Sequence, residues 1–205
     1  MLLILAPCAQ AAWTGIAAFA SQQESDWSIG GQTLVADSFQ YGLRIEEKTR
    51  PGLRIGLGIG QFHLRLEDRL NLTAIQEFDG EFAMFYMRWP FTLNDRLTLH
   101  SRFDYLYHQG RDSDSDTDDD IDWIEAAVDI GVRYRVGIVS LQPYMRYRSV
   151  DGDLDLNNST RLFSDSSAGS FGIKLDIHVE PSAYVRLQAS FDAVDALGIS
   201  FVREY

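Results

Sequence analysis

The stretch "IEAAVDIGVRYRV", residues 124–136, divides cleanly by parity. Ile124, Ala126, Val128, Ile130, Val132, Tyr134 and Val136 fall in one phase, and Glu125, Ala127, Asp129, Gly131, Arg133 and Arg135 in the other. Successive side chains of a strand point to opposite faces, so a period of two describes an extended strand with one apolar and one polar side. Wound as a helix, the same residues would scatter valines and arginines around the axis and leave no apolar stripe to bury.

The pattern recurs along the chain. Phe39, Tyr41, Leu43 and Ile45 oppose Gln40, Gly42, Arg44 and Glu46. In "LRIGLGIG", residues 53–60, Leu53, Ile55, Leu57 and Ile59 oppose Arg54, Gly56, Gly58 and Gly60. Leu97, Leu99, Phe103 and Tyr105 oppose Thr98, His100, Arg102 and Asp104. Further strands are predicted over 141–147, 171–179, 184–193 and 197–205, and a first one from Trp13 in "WTGIAAFAS". In "EFAMFYMRWPF", residues 81–91, both phases are apolar, and Ala83, Phe85, Met87, Trp89 and Phe91 are assigned outward. The count is ten, or eight if a terminal hairpin is misread. Short turn-rich links at 48–52, 92–95, 136–140 and 180–183 alternate with long polar links at 22–37, 67–80, 109–122 and 150–168; only the final hairpin, near "DAVDALG", is short where a long link is due.

With 205 residues the chain suits one domain. Its 30 acidic against 18 basic residues exclude a nucleic-acid partner, which needs a basic surface. A hydrophobic share of 45% gives it a core or a lipid face to bury. The single cysteine, Cys8, rules out a disulfide framework and a cysteine metal site. Residues 1–11, "MLLILAPCAQA", read as the end of a secretory signal cleaved before Ala12, with its true start upstream of Met1 and residues 12–205 forming the mature domain. Pro7 stands where a lipoprotein signal has a small residue, which argues against lipid attachment at Cys8.

Alternation alone describes equally a soluble barrel with an apolar interior and a membrane barrel with an apolar exterior. Glycines concentrated in the polar phase (Gly42, Gly56, Gly58, Gly60, Gly131, Gly172, Gly198) favour the second, because they leave room for long charged neighbours in a narrow lumen. The alternation of short and long links does so too. At the C-terminus, Leu197, Ile199, Phe201 and Tyr205 alternate and end on an aromatic residue, and here the chain resembles the bacterial outer-membrane β-barrel proteins. Arg203 departs from that pattern at a position usually apolar or aromatic. The resemblance covers residues 12–205 and implies an all-β, transmembrane, antiparallel up-and-down barrel in the outer membrane of a Gram-negative bacterium. It implies as partners outer-membrane lipids and lipopolysaccharide, and, during biogenesis, periplasmic chaperones and the barrel-assembly machinery that reads the last strand. It picks out no enzymatic subfamily.

If the apolar phase faces lipid, the polar phase lines the lumen. The expected lumenal charges are Arg44, Glu46, Arg54, Arg102, Asp104, Glu125, Asp129, Arg133, Arg135, Arg146, Arg148, Lys174, Asp176 and Arg186, with Asp192 and Glu204 in the same phase. Such charges need pairing, since an unpaired buried ion costs several kcal/mol, so a salt-bridged interior is expected, with a selectivity lining for a small pore as the alternative. Trp89, Phe91, Trp123, Tyr107 and Tyr184 fall near predicted strand ends, as interfacial aromatic girdles would. His100 and His178 share phases with Asp104 and Asp176, but no serine stands in a nucleophile setting beside them, so no enzyme is expected. "GRDSDSDTDDDIDW", residues 110–123, places seven aspartates in a link at the long-loop end. Asp114, Asp116, Asp118 and Asp122 fit part of a calcium-loop register, but Asp119 occupies the position that needs glycine. Weak calcium binding there is the only metal association expected, and no cofactor. The overall expectation is a charge-filled barrel with a structural or surface-interaction role, against a small diffusion channel.

Overall fold

Period-two sequence produces strand throughout: the computed structural model describes residues 13–49, 52–68, 74–112, 119–156, 159–165 and 169–205, and every regular element among them is a strand. These are β1 (Trp13–Ile29), β2 (Gln32–Lys48), β3 (Arg54–Asp68), β4 (Ala74–Thr92), β5 (Leu97–Asp112), β6 (Asp120–Val136), β7 (Val139–Leu156), β8 (Ser159–Asp165), β9 (Gly169–Glu180), β10 (Ala183–Asp192) and β11 (Val194–Glu204). The signal segment expected at residues 1–11 lies outside the described residues.

β1 to β7 pair antiparallel in chain order, followed by β9, β10 and β11. The wall closes where β11 returns to β1, from Gly15 opposite Glu204 to Ser25 opposite Val194. Ten strands therefore form a closed barrel, with the start of β1 and the end of β11 at one rim and tight turns beside them at residues 93–96, 137–138 and 181–182. On its outer wall stand Ile16, Leu43, Leu57, Ile59, Val128, Ile130, Met145, Leu187, Ile199 and Phe201, all exposed. On β5 the outward apolar phase runs from Leu97 to Tyr107; ten steps of about 3.4 Å, tilted by about 40°, cover roughly 26 Å along the barrel axis, the height of a bilayer's apolar band.

Four long polar links were expected, and strands occupy most of their length. β1 and β2 meet in a two-residue turn at Gly30 and Gly31, whose φ angles of 58° and 86° are those of a tight hairpin. β3 runs to Asp68, β5 to Asp112 and β7 to Leu156, well past the lipid band. The reason is a reversal of polarity without a change of phase. Along β3, Leu57 and Ile59 face outward while Gly56 and Gly58 face inward; beyond Gly60 the outward residues are His63, Arg65 and Glu67, and the inward ones are Phe62, Leu64 and Leu66, each 2% exposed or less. Near the chain ends the barrel is apolar outside. At the distal end it is apolar inside, as a water-soluble barrel is.

β8, which the sequence did not announce, completes the distal part. It pairs with β7 from Asp151 opposite Ser164 to Leu156 opposite Ser159, and with β1 from Trp27 opposite Asp165 to Ile29 opposite Phe163. β9, β10 and β11 end below this level, so β1 to β8 alone close the distal wall. The barrel narrows from ten strands to eight as it leaves the lipid band.

Candidate functional site: an occluded lumen

An eight-stranded barrel is just wide enough for side chains to fill. Here Trp27, Phe62, Leu64, Phe78, Ile121, Trp123, Val150, Leu154 and Phe163 fill it, all buried. Trp27 stacks on Phe163 with ring centroids 4.7 Å apart, Phe62 meets Trp123 edge-on at 4.7 Å, and His108 lies parallel to Trp123 at 4.1 Å. Glycine makes the fit possible. A Cβ on Gly80 would lie 2.6 Å from the Phe62 ring, and one on Gly152 would lie 2.5 Å from Phe163 and 2.6 Å from Trp123. Lower down, Gly56, Gly58 and Gly60 face Tyr86, Met84 and Phe82 of β4. The glycine ladder thus admits large, mostly aromatic side chains, where long charged ones were expected.

Between this plug and the rim at the chain ends, the lumen carries charge. Arg54 and Arg88 both donate to Glu46 at 2.8 Å, and Arg54 also donates to Glu204 at 2.8 Å. Arg102 pairs with Asp104 at 2.6 Å, and Arg146 reaches Glu125 at 3.0 Å and Asp129 at 3.7 Å. Lys174 donates to Asp129 at 2.8 Å and lies 4.3 Å from the centre of the Tyr144 ring. Arg186 grips Asp176 with two hydrogen bonds, of 2.6 and 2.8 Å, while Arg133 stands 3.6 Å from the same carboxylate. Arg148 pairs with Asp165 of β8 and lies 3.8 Å from Glu125, tying the narrowed section to the charged one. Bidentate and shared pairs of this kind hold buried charge that would otherwise be expensive.

Two lumenal assignments from the sequence need correction, and one lumenal cation lacks the partner expected of it. Arg135 lies exposed at the rim, where its Nε donates to the carbonyl of Gly137 at 3.4 Å. Asp192 is exposed at the tip of the last hairpin with φ of 92°. Arg44 is lumenal, but among the described residues no carboxylate lies within 4 Å of its guanidinium, which sits 5.8 Å from the ring centres of Phe19 and of Tyr86. Conversely, Arg88 and Asp165 join the network although the sequence reading passed over them. Arg88 was legible, because it alternates with Met87 and Trp89, already assigned outward.

The aromatic residues divide. Trp89, Phe91 and Tyr107 are exposed on the outer wall, with Trp89 and Phe91 stacked at 5.4 Å. Trp123 and Tyr184, expected beside them, are inside and at most 5% exposed. At the C-terminus Leu197, Ile199, Phe201 and Tyr205 face outward together, and Arg203 lies 5.6 Å from the Tyr205 ring centre.

The candidate base pairs do not form. His100 is buried with both ring nitrogens free of hydrogen-bond partners among the described residues, and Asp104 is held by Arg102. His178 lies 3.4 Å from Ser140, and Asp176 is held by Arg186. His63 does pair with Asp79 at 2.8 Å, but on the exposed outer wall. Of the calcium candidates, Asp114, Asp116 and Asp118 lie outside the described residues. Asp122 points outward on β6 directly opposite Asp153, next to Asp120 opposite Asp155. Among the described residues no three potential ligands converge as a metal site would need.

No protein-family model and no curated protein matches the sequence. Solved structures do match the fold. The transport unit of the autotransporter AIDA-I from Escherichia coli superposes with a TM-score of 0.51 at 10% identity, covering all of this chain and 93% of the other. An outer-membrane channel from Pseudomonas putida F1 gives 0.50 at 11% identity, covering 98% and 100%. The outer-membrane protein OprG from Pseudomonas aeruginosa gives 0.50 at 11% identity, covering 95% and 98%. At such identities the likeness is one of fold. Joined to the exposed apolar band, it defines the class: this is a small transmembrane β-barrel of the bacterial outer-membrane type. Its place is the outer membrane of a Gram-negative bacterium.

Proposed function

We propose that the protein is a closed barrel with a structural or surface-interaction role, neither a diffusion channel nor an enzyme. One observation carries this reading: the lumen is crossed, at the level where the barrel narrows, by a packed apolar plug with Trp123 at its centre. Hydrated ions do not pass dry packed side chains, since they would shed their water without compensation. The paired charges beneath form a second barrier. What the protein offers its surroundings is therefore its outside. The distal wall projects beyond the lipid as a rigid acidic surface, with Asp120, Asp122, Asp151, Asp153 and Asp155 aligned on β6 and β7, suited to contact with envelope components such as lipopolysaccharide or with the medium. The outward C-terminal residues Leu197, Ile199, Phe201 and Tyr205 present an apolar face to the assembly machinery. Among the described residues the one His–Asp pair that forms is open to water on the outer wall, which gives an enzyme reading no enclosed site.

The test is conductance of the purified barrel in a planar lipid bilayer. Silence across a range of voltages is expected, although one protein of similar fold is a channel. Stable unitary currents in the unmodified protein would overturn the proposal in favour of a diffusion channel.

A further inference from the structure

The lumenal charges below the plug do not cancel. Arg44, Arg54, Arg88, Arg102, Arg133, Arg146, Arg148, Lys174 and Arg186 are nine cations, against seven acids in Glu46, Asp104, Glu125, Asp129, Asp165, Asp176 and Glu204. Among the described residues the lumen is thus left about two charges positive. The excess is localised. A cavity of about 100 Å³ lies between the plug and the rim where β1 starts, and five cations line it (Arg44, Arg102, Arg146, Lys174, Arg186) against two acids, Asp104 and Glu125.

Both of those acids are already engaged, Asp104 by Arg102 at 2.6 Å and Glu125 by Arg146 at 3.0 Å. Lys174 and Arg186 are satisfied from the far side by Asp129 and Asp176, each at 2.8 Å or less. Arg44 is the exception. Its guanidinium borders the cavity with the Phe19 and Tyr86 rings beside it and, among the described residues, no carboxylate within 4 Å, although Glu46 lines a neighbouring cavity with it; it shares the Tyr86 ring with Arg102, whose guanidinium lies 4.8 Å from the ring centre. Two guanidinium groups converge on one ring, and only one of them has a carboxylate. Ring faces offset part of a cation's desolvation, but in a narrow lumen an unneutralised arginine still costs several kcal/mol. Gln188 lines the same cavity and adds an amide donor.

We propose that this cavity binds one small oxyanion of phosphate size, held by Arg44 and completing the charge balance of the lumen. The planar fork of a guanidinium matches two oxygens of such an anion. A void of this size admits phosphate or sulfate and excludes a nucleotide or an oligophosphate. The site requires neither an open nor a closed channel, so it stands independently of the proposed function.

The experiment compares the unmodified barrel with Arg44→Gln, and with Arg96→Gln at the exposed turn between β4 and β5 as a control. Each is refolded in neutral detergent, and the midpoint of thermal unfolding is followed by gel mobility while inorganic phosphate is titrated at constant ionic strength. For the unmodified protein and the control, the midpoint is expected to rise and saturate with phosphate and to stay unmoved by tripolyphosphate. For Arg44→Gln, the phosphate response is expected to weaken at least tenfold. In phosphate-free buffer the signs separate the alternatives: removing an unneutralised cation raises the midpoint, whereas removing an arginine that serves only to pack against Phe19 and Tyr86 lowers it. A midpoint insensitive to phosphate in the unmodified protein, an equal response in Arg44→Gln, or a response to tripolyphosphate as large as to phosphate would each overturn the proposal. Should Arg44→Gln fail to fold, the unmodified protein's selectivity for phosphate over tripolyphosphate decides alone.

Discussion

Trp123→Ala discriminates between the two places an aromatic residue can occupy in this barrel. Trp123 is 3% exposed and touches three rings: His108 at 4.1 Å, Phe62 at 4.7 Å and Trp27 at 5.5 Å. Truncating a fully packed tryptophan costs about 3–5 kcal/mol, because the cavity left behind relaxes only in part. The loss of three ring contacts favours the upper end of that range. Trp89, the natural comparison, is 43% exposed on the lipid side and has one ring partner among the described residues, Phe91 at 5.4 Å. Its truncation forfeits one ring pair, about 0.5–1.5 kcal/mol. Urea titration of the two variants in detergent micelles, with the folded fraction read from gel mobility without heating, should separate them by roughly 2 kcal/mol or more, Trp123→Ala being the weaker. Equal losses, or a greater loss from Trp89→Ala, would mean that the distal interior is not a packed core, and the case for an occluded lumen would fall with it.

Two further outcomes follow from the same geometry. Lys174→Met removes the hydrogen-bonding partner of Asp129, which is 3% exposed and keeps only Arg146 at 3.7 Å, and is expected to cost about 3 kcal/mol in the same titration, most of it recovered in Lys174→Met/Asp129→Leu; no recovery in the double variant would show that the pair is not the source of the loss. Asp153→Asn relieves a like-charge pair with Asp122 and is expected to stabilise the barrel by about 0.2–1 kcal/mol at low ionic strength, a gain that 1 M salt, with its ~3 Å screening length, should abolish.

The membrane half of the fold was legible in the sequence, because lipid outside and charge inside impose alternation on every strand. The stretch 124–136 gave β6 its direction and faces, and Arg133, Arg146, Lys174 and Asp176 followed from phase alone. The distal half was not legible, for a physical reason. Where β3 leaves the bilayer, the solvent on its outer face changes from lipid to water, so "QFHLRLED" reverses the polarity of "LRIGLGIG" while keeping its phase. Read for one pattern, such a reversal resembles the end of a strand. Trp123 was misplaced by the same rule, since its neighbours Asp122 and Ile124 share the outer face but meet different solvents. β8 eluded the reading because "STRLFSD" is short and mostly polar, and only Phe163 enters the core. Arg44 was expected to have a carboxylate partner, and pairing across strands depends on distances that phase does not supply.

The exchange of inside for outside along single strands divides the protein's stability into two kinds. The distal core forms by excluding water, so its strength carries the heat-capacity signature of apolar burial and weakens in urea and on cooling. The lipid-facing half gains little by that route, because its apolar residues lie against hydrocarbon in place of water; dispersion, hydrogen-bonded closure and paired charge hold it instead. β1 to β7 run through both regimes without a break. Urea or cold is therefore expected to loosen the barrel from its outer end inward, leaving the membrane-embedded ring the last part to open.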